Sequence, residues 1–196
     1  MSETFDVVIA GGAVIGSSIA CHLAMRQPGL KVLVVEPDPT YQRSASALSA
    51  GSIRQQFSSA VNIDISLHGI DFLRRVEEHL GVDGEPVDIG LKEIGYLYIA
   101  TEPGAPLLAE LNVLQNGRGA DIVLFDRPGL SERFPWLSNQ DLAAGSWGRT
   151  GEGCFDGYGL TQAFRRKARA LGVTYRQTRV VDVISEAGRV AGAVLE

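Results

Sequence analysis

Apolar β-formers and polar turns alternate in a regular order along the chain. Val7, Val8 and Ile9 are consecutive and β-branched, so Phe5 to Ala10 is predicted as a buried strand. From Ile15 to Met25 the spacing becomes helical, with Ile15, Ile19 and Leu23 on one stripe and Pro28-Gly29 at the end. Lys31 to Val35 (KVLVV) is a second buried strand closing on Glu36. Strand, helix and strand make a βαβ unit, which implies a parallel pair and a right-handed crossover. Residues 37 to 60 are rich in Ser, Ala, Gly and Gln and show little periodicity. They are predicted as a long loop with one helical turn, a length that in a compact domain usually carries function or disorder. Ile63 to Leu80 is predicted as a helix with Ile63, Leu67, Ile70, Leu73, Val76 and Leu80 on its apolar face.

Further on, the pattern predicts a strand at Tyr96 to Ala100, a helix at Pro106 to Asn116, a short strand at Ile122 to Phe125 and a helical turn at Leu130 to Phe134. Ala143 to Asp156 is glycine-rich strand and turn. Leu160 to Leu171 is an amphipathic helix stopped by Gly172, and Thr174 to Arg176 is a strand. Val180 to Ile184 and Arg189 to Leu195 form a hairpin across Glu186-Ala187-Gly188.

The 196 residues are 45% hydrophobic and carry a net charge of −5. This is globular composition with no basic stripe, so no nucleic-acid partner is expected. Cys21 and Cys154 lie far apart and outside any CxxC, which implies neither a zinc site nor a disulfide framework. The apolar runs are too short for a membrane span. The first strand starts by about Phe5 and leaves no room for a leader, so the default expectation is cytoplasmic.

The stretch FDVVIAGGAVIGSSIACHLA runs from the first strand through a glycine cluster into the first helix. Gly11 and Gly16 take the first and third positions of G-x-G-x-x-G, for the tight turn and for close helix packing. The helix start offers unpaired N–H groups and a positive dipole end to a pyrophosphate. Glu36 lies 20 residues beyond Gly16, where a carboxylate accepts from ribose hydroxyls and disfavours a 2′-phosphate. The middle position is Ala13, whose methyl narrows the approach, with Gly12 beside it to adjust the loop. Gly11, Gly12, Ala13, Val14, Ile15 and Gly16, with Glu36 and Pro37, are therefore the expected dinucleotide-binding set. The plainer reading is a glycine turn in an ordinary βαβ unit, and these residues alone do not separate FAD from NAD.

The string Gly11, Gly16, Ala20, Leu23, Ala24 resembles the fingerprint of the FAD-dependent amine and amino-acid oxidoreductases, the family of D-amino-acid oxidase, glycine oxidase, sarcosine oxidase and dimethylglycine dehydrogenase. The resemblance continues through SALSAGSIRQQF (46 to 57), ERFPWL (132 to 137), GCFDGYGLTQAFRRKARALGV (153 to 173) and TRVVDVISEAGRVAGAV (178 to 194). It implies FAD as cofactor, with Ser44, Ala45, Ser49, Ala50, Gly51 and Ser52 near it and the backbone of Val180 at the adenine. It also implies an α/β fold: a Rossmann-type FAD-binding domain, a parallel sheet with helices, plus part of a mixed-sheet substrate domain. The expected division is 1–84 and 151–196 for the FAD-binding domain and 85–150 for the substrate domain. Members of the family are longer, so the chain reads as an amino-terminal portion in which the parallel sheet stops before completion.

The implied reaction oxidises the C–N bond of a small amine or amino acid by hydride transfer to flavin, and oxygen or an electron-transfer protein takes the electrons. The alternative is a non-catalytic module that keeps the fold without FAD, a reading that Ala13 favours. Arg54 is a candidate clamp for a substrate carboxylate, against the plainer reading of a structural or phosphate partner. No catalytic residue is assigned. His22, His68 and His79 have no second ligand at metal spacing and are read as packing or surface residues, and Cys21 as a small packing residue. Tyr96 and Tyr98 alternate with Leu97 and Ile99. One face of that strand either packs in the core or looks into a substrate pocket.

Overall fold

A computed structural model describes residues 3–196. In chain order its elements are β1 (Val7–Ala10), α1 (Val14–Arg26), β2 (Val32–Val35), α2 (Ala45–Leu48), β3 (Ser52–Ile53), α3 (Ala60–Arg74), α4 (Val76–Leu80) and β4 (Tyr96–Ala100). There follow α5 (Ala105–Gly117), β5 (Ile122–Asp126), α6 (Arg127–Arg133), β6 (Ala144–Gly148), β7 (Gly153–Cys154), α7 (Gly157–Ala170), β8 (Thr174–Arg176), β9 (Val180–Glu186) and β10 (Arg189–Leu195). They group into two compact units. The first holds the residues up to Ser49, Val76–Ile89 and Asp156–Glu196, and the second Ala50–Arg75 and Gly90–Phe155. Residues 50–75 thus cluster with the middle of the chain, whereas the sequence division at 84 groups them with the amino-terminal segment.

In the first unit, β1, β2 and β8 form a parallel sheet with β2 in the centre. All four residues of β2 are buried, as an unbroken apolar run requires of a central parallel strand. Helices α1 and α7 pack on each other. The stripe expected to face inward on α1 does not. Ile15 is 73% exposed and Ile19 47%, while Gly16, Ser17, Ala20, Cys21 and Ala24 are buried. Small side chains bring the helix backbone close to its neighbours, which larger ones would prevent. Ser17 fixes this face: its hydroxyl donates to the Gly12 carbonyl at 2.5 Å and accepts from Tyr175 Oη at 3.1 Å. Strands β9 and β10 pair as a hairpin whose two-residue turn has Ala187 at φ 49° and Gly188 at φ 76°. This is the doubly left-handed turn that matches strand twist, one residue shorter than predicted.

In the second unit, β6 lies between β4 and β5 in an antiparallel sheet, and β3 pairs with β7. One core cluster joins Leu130, Phe134 and Leu142 with Leu97, Phe125, Leu137 and Trp147. The rings of Phe134 and Trp147 meet edge-on at 5.8 Å. Within ERFPWL, Phe134 is in the core and Leu137 packs against it, while the exposed Trp136 meets the Phe134 ring at 6.0 Å.

The helix predicted across Ile63–Leu80 is two helices. α3 ends at Arg74, and Arg75 (φ −111°, ψ 25°) separates it from α4. The apolar spacing runs through the break because its two halves serve different cores. Ile63, Ile70 and Leu73 are buried members of the second unit, and Val76 and Leu80 of the first.

Candidate functional site

The glycine loop leaves β1 through Gly11, whose N–H donates to the Val35 carbonyl at 2.8 Å and whose φ of +96° suits glycine. Ala13 is the N-cap of α1 in extended backbone (φ −67°, ψ −167°) and offers no side-chain cap. The first-turn N–H groups of α1 therefore point out of the helix end unclaimed by a cap, the arrangement that receives a phosphate. A Cβ on Gly16 would run into the Gly11 carbonyl oxygen, and one on Gly12 would stand 2.9 Å from Tyr41 Oη and 3.1 Å from Glu36 Cβ. The cradle is one that side chains would fill, and it fits a dinucleotide pyrophosphate. Glu36 accepts from Gly12 N–H and from Asp38 N–H, each at 2.9 Å. The carboxylate ties the end of β2 to the loop, and its further lone pairs are free to accept from hydroxyls. Pro37 beside it is exposed.

Ser44 caps α2, its Oγ accepting from Ala47 N–H at 3.2 Å. Hydroxyls link Ser44 to Ser46 at 3.1 Å and Ser46 to Thr161 at 3.2 Å. Gly11–Gly16, Glu36, Pro37, Ser44, Ala45, Ser49 and Val180, which opens β9, all belong to the first unit. Ala50, Gly51, Ser52 and Arg54 belong to the second. Gly51 has φ +59°, and a Cβ there would run into the Phe155 carbonyl, while Phe155 N–H donates to Gly51 O at 2.7 Å.

Arg54 stands among three rings. Its guanidinium carbon is 4.9 Å from the centroid of Phe57, 5.7 Å from Tyr98 and 5.8 Å from Tyr96. Its Nε is buried without a hydrogen-bond partner, and it makes no ion pair among the described residues. Rings satisfy the cation's charge without using its N–H groups. Tyr96 and Tyr98 are half-buried beside Arg54, and burial pushes the Tyr98 phenol above its ordinary range. Leu97, between them, packs in the core cluster.

Sequence reasoning missed the group next to Arg54. Glu152 is fully buried. Its Oε1 accepts from Gln55 N–H at 2.5 Å and Gln56 N–H at 3.1 Å, and its Oε2 from Gln56 Nε2 at 2.8 Å. Gln56 Nε2 also donates to Tyr96 O at 2.9 Å, and Gln56 Oε1 accepts from Ser146 Oγ at 2.7 Å. Burial raises the Glu152 pKa, opposed by these donors and by the Arg54 charge. The available signal was an acid set between glycines in TGEGC, far from the RQQ it serves.

His22 Nδ1 lies 2.8 Å from Ser18 O, and among the described residues no three His, Cys, Asp or Glu side chains are grouped to hold a metal. Cys21 is buried, which pushes its thiol to about 11 and leaves it unreactive. Among the described residues no helix is long and apolar enough to cross a membrane.

Comparison with known proteins bears on the family and the fold. The model of the DAO family, "FAD dependent oxidoreductase", matches residues 6–196. FAD-dependent oxidoreductase domain-containing protein 1 of Xenopus laevis is 46% identical over 184 residues, covering 92% of this chain and 37% of the relative. Among solved structures, L-proline dehydrogenase from P. horikoshii superposes with a TM-score of 0.80 at 25% identity, over 100% of this chain and 50% of that one. Glycine oxidase from Geobacillus kaustophilus gives 0.79 at 28%, over 99% and 51%. The chain thus spans between about a third and a half of the length of the proteins it matches. Glycine cradle, parallel sheet, acid at the end of β2 and a family match over almost every residue lead to one conclusion: the chain belongs to the FAD-dependent oxidoreductase family of D-amino-acid oxidase type.

Proposed function

We propose that this chain is the cofactor- and substrate-contacting part of an enzyme that oxidises the C–N bond of a small amine or amino acid bearing a carboxylate. The observation that carries this reading is Arg54: a cation among aromatic rings, with a buried, unpartnered Nε. A carboxylate satisfies such a fork bidentately. The phenols of Tyr96 and Tyr98 stand beside it to bound the apolar part of a small substrate.

Bound FAD supplies the hydride acceptor. The N–H groups of the loop Gly11–Gly16 at the start of α1 would hold its pyrophosphate, and Glu36 would accept from its ribose hydroxyls. Pro37, Ser44, Ala45 and Ser49 would contact the cofactor from the first unit, where the backbone of Val180 would receive the adenine, and Ala50, Gly51 and Ser52 would contribute from the second. Arg54 orients the substrate through its carboxylate, which fixes the carbon that loses hydride. The substrate gives up a hydride and a proton, and water hydrolyses the resulting imine. Oxygen or an electron-transfer protein takes the electrons.

The test uses the intact protein with a dye acceptor and a panel of sarcosine, dimethylglycine, glycine, D-amino acids and proline. Turnover of at least one is expected, with a raised KM in Arg54→Met. Purification without flavin, together with no turnover on the panel, would instead support a non-catalytic module.

A further inference from the structure

We infer that Glu152 is a positioning residue for substrate recognition: its buried carboxylate pins the backbone that follows Arg54 and so aims the guanidinium. The inference rests on the reading of Arg54 as the carboxylate clamp.

The segment from Arg54 to Phe57 belongs to no helix or strand, so no ladder of backbone hydrogen bonds holds it. The peptide linking Arg54 to Gln55 is gripped at both polar atoms instead. Its carbonyl accepts from Ser66 Oγ, and its N–H donates to Glu152 Oε1 at 2.5 Å. The next N–H, of Gln56, donates to the same oxygen. The Gln56 side chain then ties the second carboxylate oxygen to Tyr96 O and Ser146 Oγ. One carboxylate therefore couples the Arg54 backbone to β4, which carries two of the rings around the guanidinium.

The surroundings are shaped for this acid. A Cβ on Gly148 would run into the Glu152 carboxylate itself, and one on Gly153 into the Lys92 carbonyl. Gly151, at φ +74°, would bring a Cβ within 3.1 Å of Gln55 Oε1, while Gln55 Nε2 donates to Gly151 O at 2.7 Å. A buried ionised group is costly unless its partners are complete. Here three N–H donors converge on an acceptor-only group. An apolar side chain would fill the same space but would leave the buried Gln55 and Gln56 N–H groups without an acceptor. Glu152→Gln keeps the oxygen facing the two backbone N–H groups but sets an NH2 against Gln56 Nε2. Two donors then face each other, and turning the Gln56 amide over to relieve them sets its oxygen against Tyr96 O, so the tie to β4 is lost.

The test is calorimetric titration of the intact, FAD-loaded protein with benzoate and with benzamide, which share a shape and differ in charge. The wild type is expected to prefer benzoate, and Arg54→Met to abolish the preference. If the preference survives Arg54→Met, Arg54 is no clamp, and both the reading and the inference fall. With the preference abolished there, Glu152→Gln and Gln56→Leu are each expected to weaken benzoate about tenfold, with benzamide affinity and flavin content unchanged. Unchanged benzoate affinity, or an equal loss for both ligands, overturns the positioning role and leaves the Arg54 reading standing. If Glu152→Gln does not fold, Ser146→Ala carries the same test. It removes only the hydroxyl on Gln56 Oε1, and a benzoate loss of about twofold to threefold is expected, no loss overturning the inference.

Discussion

Gly16→Ala is the sharpest probe of the cradle. The new methyl group points at the Gly11 carbonyl oxygen, with the Gly11 carbonyl carbon at 3.0 Å and Ile9 Cγ2 at 3.2 Å. The obstacle is backbone, so no rotamer change relieves it. Gly11 cannot simply retreat, because its N–H is tied to Val35 O at 2.8 Å and its φ of +96° already lies where few residues go. Overpacking of this kind costs about 1–3 kcal/mol, against a gain of up to about 1 kcal/mol from replacing a helical glycine by alanine. The protein should therefore fold, with Tm lowered by up to roughly 10 °C. The loop must move, and the cofactor site moves with it. FAD affinity should fall by about tenfold or more, equivalent to about 1.4 kcal/mol. Gly69→Ala is the control. It lies in α3, and its Cβ would meet Ile53 Cδ1 at an ordinary 3.6 Å, so propensity gain is expected without a clash. The measurements are flavin per polypeptide after purification, Kd for FAD with apoprotein, and thermal melting. A Gly16→Ala protein with full flavin and unchanged Kd would refute the steric argument.

Three further outcomes follow from the same geometry. Glu36→Ala removes the acceptor for Gly12 and Asp38 N–H as well as the proposed ribose contact, so FAD binding should weaken by about 1.5–3 kcal/mol per charge-assisted bond lost; an unchanged Kd would refute the ribose contact. Ala13→Gly opens the middle of the cradle and should tighten FAD retention, whereas unchanged or weaker retention would mean that the extended backbone at Ala13 already accommodates the methyl. The Arg74 guanidinium and the Gly151 N–H hold the Glu93 carboxyl below the ordinary glutamate range. Its stabilisation is complete above that range and is lost as pH falls through the lowered folded value, so Glu93→Gln should flatten the acid limb of a stability-versus-pH curve, and an unaltered limb would contradict the pairing.

What the sequence makes legible depends on how far apart the cooperating residues lie. The cradle is readable because Gly11, Ala13 and Gly16 act within one turn, and the acid that meets them sits at a fixed distance set by one βαβ unit. Periodicity is a weaker guide to which side of a helix faces in. On α1 the conspicuous Ile15 and Ile19 lie outward, because close packing selects the small residues between them. Periodicity also cannot report a change of partner, which is why one apolar stripe over 63–80 proved to be two helices. The Glu152 network lies at the far end of this scale. Its donors and acceptor are 96 and 97 residues apart, and each residue type alone is unremarkable on a polar loop. Only the fold shows that the acid is fully buried, and that the glycines around it stand where any side chain would strike the carboxylate, the glutamine or a neighbouring carbonyl. Arg54 lies between the two extremes. Its motif marked it as a candidate, but the three rings and the unpaired Nε that give it chemical meaning come from residues up to 44 positions away.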